Sequence, residues 1–174
     1  MALNFLNIDI NSISKRLNFT FLIDMGKSIF FSKNNEIDVT SKNLKSSIID
    51  NTLFKINSEV VNIENNKQEV ISSLDCFYSP NNEALCIIIG EKVKIKDLSK
   101  EFMVNIIDFA SKVSAKSLIL LLDKKNKDYV KIMQSMMMVG FINDIKNKTA
   151  NLMEIEYKVL KFECKITNFE EIAF

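Results

Sequence analysis

Chemistry in a protein needs a nucleophile, a proton carrier or a ligand set, and this chain is poor in all three. It has no histidine, so the commonest general base, metal ligand and activator of serine or cysteine nucleophiles is missing. Ser-His-Asp and Cys-His arrangements are thereby excluded. The three cysteines, Cys76, Cys86 and Cys164, are scattered and lack the C-x-x-C spacing of a zinc or redox site. Their odd number, in apolar or mixed segments, argues against a disulfide framework and for a reducing compartment. Gly26, Gly90 and Gly140 stand alone. Neither G-x-x-x-x-G-K-[ST] nor G-x-G-x-x-G occurs, so no backbone cradle for phosphate is expected. Met25-Gly26-Lys27-Ser28 has only the end of a P-loop, and a plain turn between two strands accounts for it.

Two carboxylate pairs, Glu154/Glu156 and Glu170/Glu171, have the chemistry of an acid and a base. Glu154 and Glu156, however, fall on the polar side of an alternating strand and read as a solvated surface. Lys124-Lys125-Asn126-Lys127 has the charge to touch phosphates. Flanked by Asp123 and Asp128, with Tyr129 as its one aromatic neighbour, it reads as a solvated turn or a protein contact. No catalytic residue, cofactor site or metal site is expected, and that absence points toward a binding protein.

Bulk charge agrees. The chain of 174 residues carries 23 basic and 22 acidic residues, a formal net charge of +1. Nothing in that balance draws it to nucleic acid or an anionic membrane. Met1 to Phe5 has no basic n-region. Apolar runs such as Leu118 to Leu122 are far too short to span a bilayer. A soluble cytoplasmic (or nuclear) protein, with no nucleic-acid or membrane partner, is the expectation.

The elements that must position these residues divide by texture at Tyr78-Ser79-Pro80-Asn81-Asn82, the strongest turn signal in the chain. Residues 1–80 are rich in Asn and Ser, with short apolar runs at Phe19 to Ile23, Ser28 to Phe31, Leu53 to Ile56 and Val60 to Ile63. These read as short strands between polar loops such as Ser32 to Asn35 and Glu64 to Lys67. Residues 81–174 read as an α/β unit. Ala84 to Ile89 suits a strand buried on both faces. Val93 and Ile95 alternate with lysines and suggest a half-buried edge. Leu98, Phe102, Ile106, Phe109 and Val113 form one apolar helical stripe, with Asp97 as the expected N-cap. Ser117 to Leu122 is a second buried strand. Tyr129 to Val139 is a second helix, with Met133, Met136 and Met137 on or near its inner side and Met136 to Met138 assigned to core filling. Gly140 sits where a left-handed helix end is needed. Phe141 to Ile145 is a candidate short strand, and Leu152 to Leu160 alternates as a one-sided strand. The fold class expected is α/β, a mixed β-sheet with two packed helices.

From residue 84 onward this order of elements resembles ornithine decarboxylase antizyme. The carrying pieces are Lys100-Glu101-Phe102, Ile107-Asp108-Phe109-Ala110, the strand Leu118 to Leu122, the loop Lys125-Asn126-Lys127-Asp128, and Met138-Val139-Gly140-Phe141. The family shows K-D-S-F, L-E-F-A, an apolar strand, K-N-R-E-D and F-L-G-F in the same order. A counterpart to the strand Met153 to Val159 follows. The resemblance covers roughly residues 84–164, and its weight rests on the order of the set, since each piece is short.

The resemblance implies an acetyltransferase-like (GNAT-like) antizyme fold without acetyltransferase activity. It implies an inhibitor that binds the ornithine decarboxylase monomer as a 1:1 heterodimer, blocks its homodimerisation and delivers it to the proteasome without ubiquitin. Polyamine homeostasis and a programmed ribosomal frameshift come with the family. Carried over by position, the partner-binding residues are Lys100, Glu101, Asp108, Lys125, Asn126 and Asp128. The chain departs from the family at Ser111 and Lys112, where antizymes place paired glutamates, and at Asp123, where their loop begins with histidine. Two other readings stand beside it. One is an acetyltransferase-fold enzyme using acetyl-coenzyme A, which needs a glycine-rich pyrophosphate loop where Gly90 to Asp97 has one glycine. The other is an unrelated α/β protein-interaction module.

Overall fold

The computed structural model describes residues 3–4, 18–24, 27–32, 54–62, 64–65, 67–144, 146–152 and 154–164. Strands β1 (Leu3–Asn4), β2 (Asn18–Asp24), β3 (Lys27–Ser32), β4 (Phe54–Asn62) and β5 (Lys67–Ser79) precede β6 (Ala84–Ile89). Helix α1 (Lys100–Lys112), β7 (Ser117–Asp123) and helix α2 (Tyr129–Val139) follow, then β8 (Ile142–Asn143), β9 (Thr149–Leu152) and β10 (Ile155–Glu163). One mixed sheet of 10 strands joins them in the order β1-β9-β10-β7-β6-β5-β4-β2-β3, with β8 paired to β10. The mixed α/β class with two packed helices expected from the sequence is the observed one.

One of the parallel pairs sits at the centre, where β6 and β7 run side by side from Ala84↔Ser117 to Ile89↔Leu122. Every residue of both strands is buried, as continuous apolar runs require of a strand covered on both faces. Their alternation splits the core. Leu85, Ile87, Ile89, Leu118, Leu120 and Leu122 face one cluster with both helices, while Cys86, Ile88, Ile119 and Leu121 face a second cluster with Phe77, Tyr157 and Val159.

Helix α1 lies on the first cluster through the expected stripe, with Leu98, Phe102, Ile106, Phe109 and Val113 all buried. At 1.5–3 kcal/mol for each large apolar side chain, that stripe contributes roughly 10 kcal/mol before entropy is counted. The ring of Phe109 meets Phe54 of β4 edge-on at 6.0 Å, so α1 spans both halves of the sequence. The cap is not the expected one. Ser99 caps α1, its Oγ accepting from the Phe102 N–H at 3.1 Å. Asp97 closes a preceding 3-10 turn (Ile95–Asp97) by accepting from the Lys94 N–H at 3.2 Å. Hence Val93 and Ile95, expected in a half-buried strand, lie in a loop and that turn.

Helix α2 buries Ile132 and Met136, and Met133 packs at the margin. Met137 is 39% and Met138 89% exposed, so the expected core role holds for Met136 and fails for these two. Successive helical residues are about 100° apart, and a run of three cannot share one face. Gly140 takes φ +120°, and its N–H donates to the carbonyls of Met136 and Met137, the left-handed helix end expected there.

The expected turn at Tyr78 to Asn82 is a hairpin connection. Glu83 adopts φ +48° and donates its N–H to the Pro80 carbonyl at 3.2 Å. Since β5 pairs with β4 on one side and β6 on the other, the division into 1–80 and 81–174 falls inside a continuous sheet. The expected strands at Leu53 to Ile56 and Val60 to Ile63 are one strand, β4, with a register shift at Ser58/Glu59, although Leu53 and Ile63 lie outside the described residues. So do residues 33–35 of the expected loop at Ser32 to Asn35, whose first residue ends β3. Strand β5, 13 residues long, has no counterpart in the expected elements. The expected single strand from Leu152 to Leu160 is two, because Glu154 at φ +64° turns the chain between β9 and β10.

Candidate functional site

In open sheets with parallel strands, ligands collect beyond the carboxyl ends of those strands. Here β6 and β7 end together, and the loops that follow them, residues 90–99 and 124–128, are clasped to one another. Asn126 is the clasp. Its Nδ2 donates to the carbonyls of Gly90 and Val93, both at 2.8 Å, and its Oδ1 accepts from the Asp128 N–H at 2.8 Å. The residue is only 5% exposed. Asp128 completes the link, its Oδ2 accepting from the Ile95 N–H at 3.0 Å. At the base of the second loop, Asp123 Oδ1 accepts from the Lys125 N–H at 2.9 Å. A depression of about 630 Å³ opens beside the clasp, lined among others by Glu91, Lys92, Lys94, Lys127 and Asp128.

Five amides of the first loop are already engaged. Val93 donates to the Gly90 carbonyl, Lys94 to the Asp97 carboxylate, Ile95 to the Asp128 carboxylate, Asp97 to the Lys94 carbonyl and Leu98 to the Ile95 carbonyl. A pyrophosphate cradle requires such amides free and aimed outward. Two of these amides, those of Lys94 and Ile95, are held by the carboxylates of Asp97 and Asp128, and a phosphate arriving there would have to displace both against like charge.

Of the three cysteines, two lie in the core. Burial pushes the Cys76 thiol well above its ordinary value, the Asp75 carboxylate adding to that, and burial does the same to Cys86. Cys164, half-buried, is pushed up to about 11 by burial first and by Glu163 second. None supplies a thiolate at neutral pH. On the second face of the sheet, Asp123 of β7 stands opposite Tyr157 of β10. Burial raises the Tyr157 phenol, and the charges of Asp123 and Asp75 raise it further. Glu156 accepts from Lys124 at 2.6 Å and so straps the charged loop to β10. Among the described residues, no three His, Cys, Asp or Glu side chains gather as a metal site would need, and no helix is long and apolar enough to cross a membrane.

The six residues expected to bind a partner separate into two groups. Lys100, Glu101 and Asp108 are exposed on α1. Glu101 and Asp108, seven residues apart, share one helix face, and Val104 lies between them, 43% exposed. Ser111 and Lys112 continue the same face. Lys125 is exposed as well, but Asn126 is buried and Asp128 is half-buried, and their side chains are spent on the clasp. Gly90, Val93 and Ile95, the other half of that clasp, are not legible in the sequence. Their bonds are made by backbone atoms, which leave no trace in residue type.

No family model matches this chain, and no curated protein is similar to it in sequence. Among solved structures it is similar to nourseothricin acetyltransferase, with 14% identity over 56% of this chain and 59% of that one, at a TM-score of 0.39. The match thus spans little more than half of either chain.

Proposed function

We propose that this chain is a non-catalytic protein inhibitor of the antizyme kind. It binds the ornithine decarboxylase monomer, blocks its homodimerisation and promotes ubiquitin-independent degradation by the proteasome, thereby regulating polyamine levels. The observation that carries the reading is a contrast between two surfaces. The loops beyond β6 and β7, where a cofactor would bind, are closed on themselves by Asn126, Asp97 and Asp128. The helix layer carries exposed apolar side chains, Val104 between the carboxylates of Glu101 and Asp108 on α1, and Val130, Met137 and Met138 on α2. Exposed apolar side chains rimmed by charge are what a protein partner needs.

The test mixes the purified chain with ornithine decarboxylase from the same organism and follows activity and complex size together. Loss of activity, with the enzyme dimer replaced by a one-to-one complex, is the expected result. Charge reversal at the exposed pair, Glu101→Lys with Asp108→Lys, should weaken inhibition about tenfold or more, chiefly through slower association at low salt. Full activity with an unshifted enzyme dimer would overturn the reading. An acetyltransferase would instead show a thermal shift with acetyl-coenzyme A, and none is expected.

A further inference from the structure

We propose that this chain pairs with a second copy of itself through β3, an interaction separate from its proposed partner binding. The two ends of the sheet are unlike. At one end β1 offers only Leu3 and Asn4, a short edge of the kind that resists further pairing. At the other, β3 runs six residues, Lys27–Ser32, and is in unbroken antiparallel register with β2 from Phe19↔Ser32 to Asp24↔Lys27. Among the described residues no strand pairs with its outer side. It has no proline, no bulge and one charged residue, Lys27 at its start, so these three edge-blunting devices are nearly absent from the strand itself.

The occupant follows from the order of residue types along that edge. Ser28-Ile29-Phe30-Phe31-Ser32 is symmetric in polarity about Phe30. A two-fold axis through Phe30 pairs β3 antiparallel with itself. Ser28 then stands opposite the second copy's Ser32, Ile29 opposite its Phe31, and Phe30 opposite its Phe30. Polar positions meet polar ones and apolar positions meet apolar ones on both faces, which a C2 interface requires of a single patch. Such a pairing adds about six backbone hydrogen bonds and extends the sheet across two copies. In the strand order β3 lies five positions from β7, roughly 24 Å away. Self-pairing and partner binding by the helix layer therefore do not compete.

The experiment is light scattering after size exclusion on the whole chain, over a wide range of concentration. The mass is expected to rise from 20.0 kDa toward twice that as concentration increases. Two double variants then read the register. Ser28→Lys with Ser32→Lys sets two like-charge pairs across the interface, whereas Ser28→Lys with Ser32→Glu sets two opposite-charge pairs. Within one copy those positions are too far apart to interact, so any difference reports contact between copies. The second variant should dimerise about tenfold or more tightly than the first, with circular dichroism showing that both fold. If the first variant fails to fold, the wild-type mass and the second variant still decide. A wild-type mass of one chain at every concentration would overturn the proposal and leave the edge to an extended segment of another protein. Equal dimerisation of the two variants would overturn it as well. Neither outcome bears on inhibition of ornithine decarboxylase, which is read separately by activity.

Discussion

The three thiols show how placement silences chemistry that composition allows. Cys76 and Cys86 are fully buried, and the neutral thiol is the only form the core tolerates. Their folded values, like the value of about 11 for Cys164, lie above the 9.0 of an exposed thiol. For groups raised on folding, the stabilising contribution is complete below the unfolded value and lost as pH climbs through the folded one. Stability should therefore hold up to pH 9.0 and fall between there and about 11, the raised Tyr157 phenol acting in the same direction. Urea midpoints across that window measure it, and a flat midpoint would contradict it. Gly140 is a second residue where geometry decides. A Cβ at its φ of +120° would lie 3.0 Å from the Phe162 ring, which itself rests 5.4 Å from Phe141. Gly140→Ala should cost about 1–2 kcal/mol in urea denaturation, whereas Gly90→Ala, with nothing within 4 Å, should cost far less.

Elements differ in how openly the sequence declares them, and the difference is physical. Strands β6 and β7 were legible because burial on both faces demands uninterrupted apolar residues, and α1 because its stripe repeats with the helical period. Strand β5 was hidden. Its polar residues interrupt the apolar pattern: Ser73 is exposed, whereas Ser72 is buried and donates its hydroxyl to the Asp97 carbonyl at 2.5 Å. The break between β9 and β10 was hidden too, because Glu154 takes a left-handed conformation with no glycine or proline to announce it. At the site, side-chain exposure on α1 followed from its periodicity, but the buried role of Asn126 did not, since its acceptors are carbonyls 33 and 36 residues away. That role makes a prediction at this scale. Asn126→Ala leaves the Val93 carbonyl without its Asn126 donor, takes one of two donors from the Gly90 carbonyl, and leaves the bond from the Ile95 N–H to Asp128 to tie the two loops. A loss of about 2–3 kcal/mol is expected. Asn126→Asp should be no milder, because it turns a donor into a carboxylate facing two carbonyl oxygens. Urea denaturation of both variants checks this, and a loss under about 0.5 kcal/mol would mean that the clasp contributes nothing to stability.

At the scale of the whole molecule, the texture of the sequence and the logic of the core disagree. Texture changes at Pro80, and residues 84–164 alone carry the antizyme resemblance, which invites the view that the second half is self-sufficient. The core argues otherwise. Phe54 and Ile56 of β4 and Leu74, Cys76 and Tyr78 of β5 belong to the same cluster as the α1 stripe. Phe109 makes its ring contact with Phe54. Removing residues 1–80 strips five buried side chains from under α1. At 1.5–3 kcal/mol each, that is roughly 10 kcal/mol, comparable with the whole stability of an ordinary domain. It also leaves β6, a strand buried throughout, as a bare sheet edge, with an unpaired ladder where β5 had been. A fragment of residues 81–174 is therefore expected to lose cooperative unfolding, to bind hydrophobic dyes and to aggregate, even though it holds both helices and the central parallel pair. The intact chain should unfold in one transition, with far-ultraviolet dichroism and tyrosine fluorescence changing together. A fragment that unfolds cooperatively at a midpoint close to that of the intact chain would show that α1 needs no support from β4 and β5. The shared core would then be a contact between two independent units and not the foundation of one.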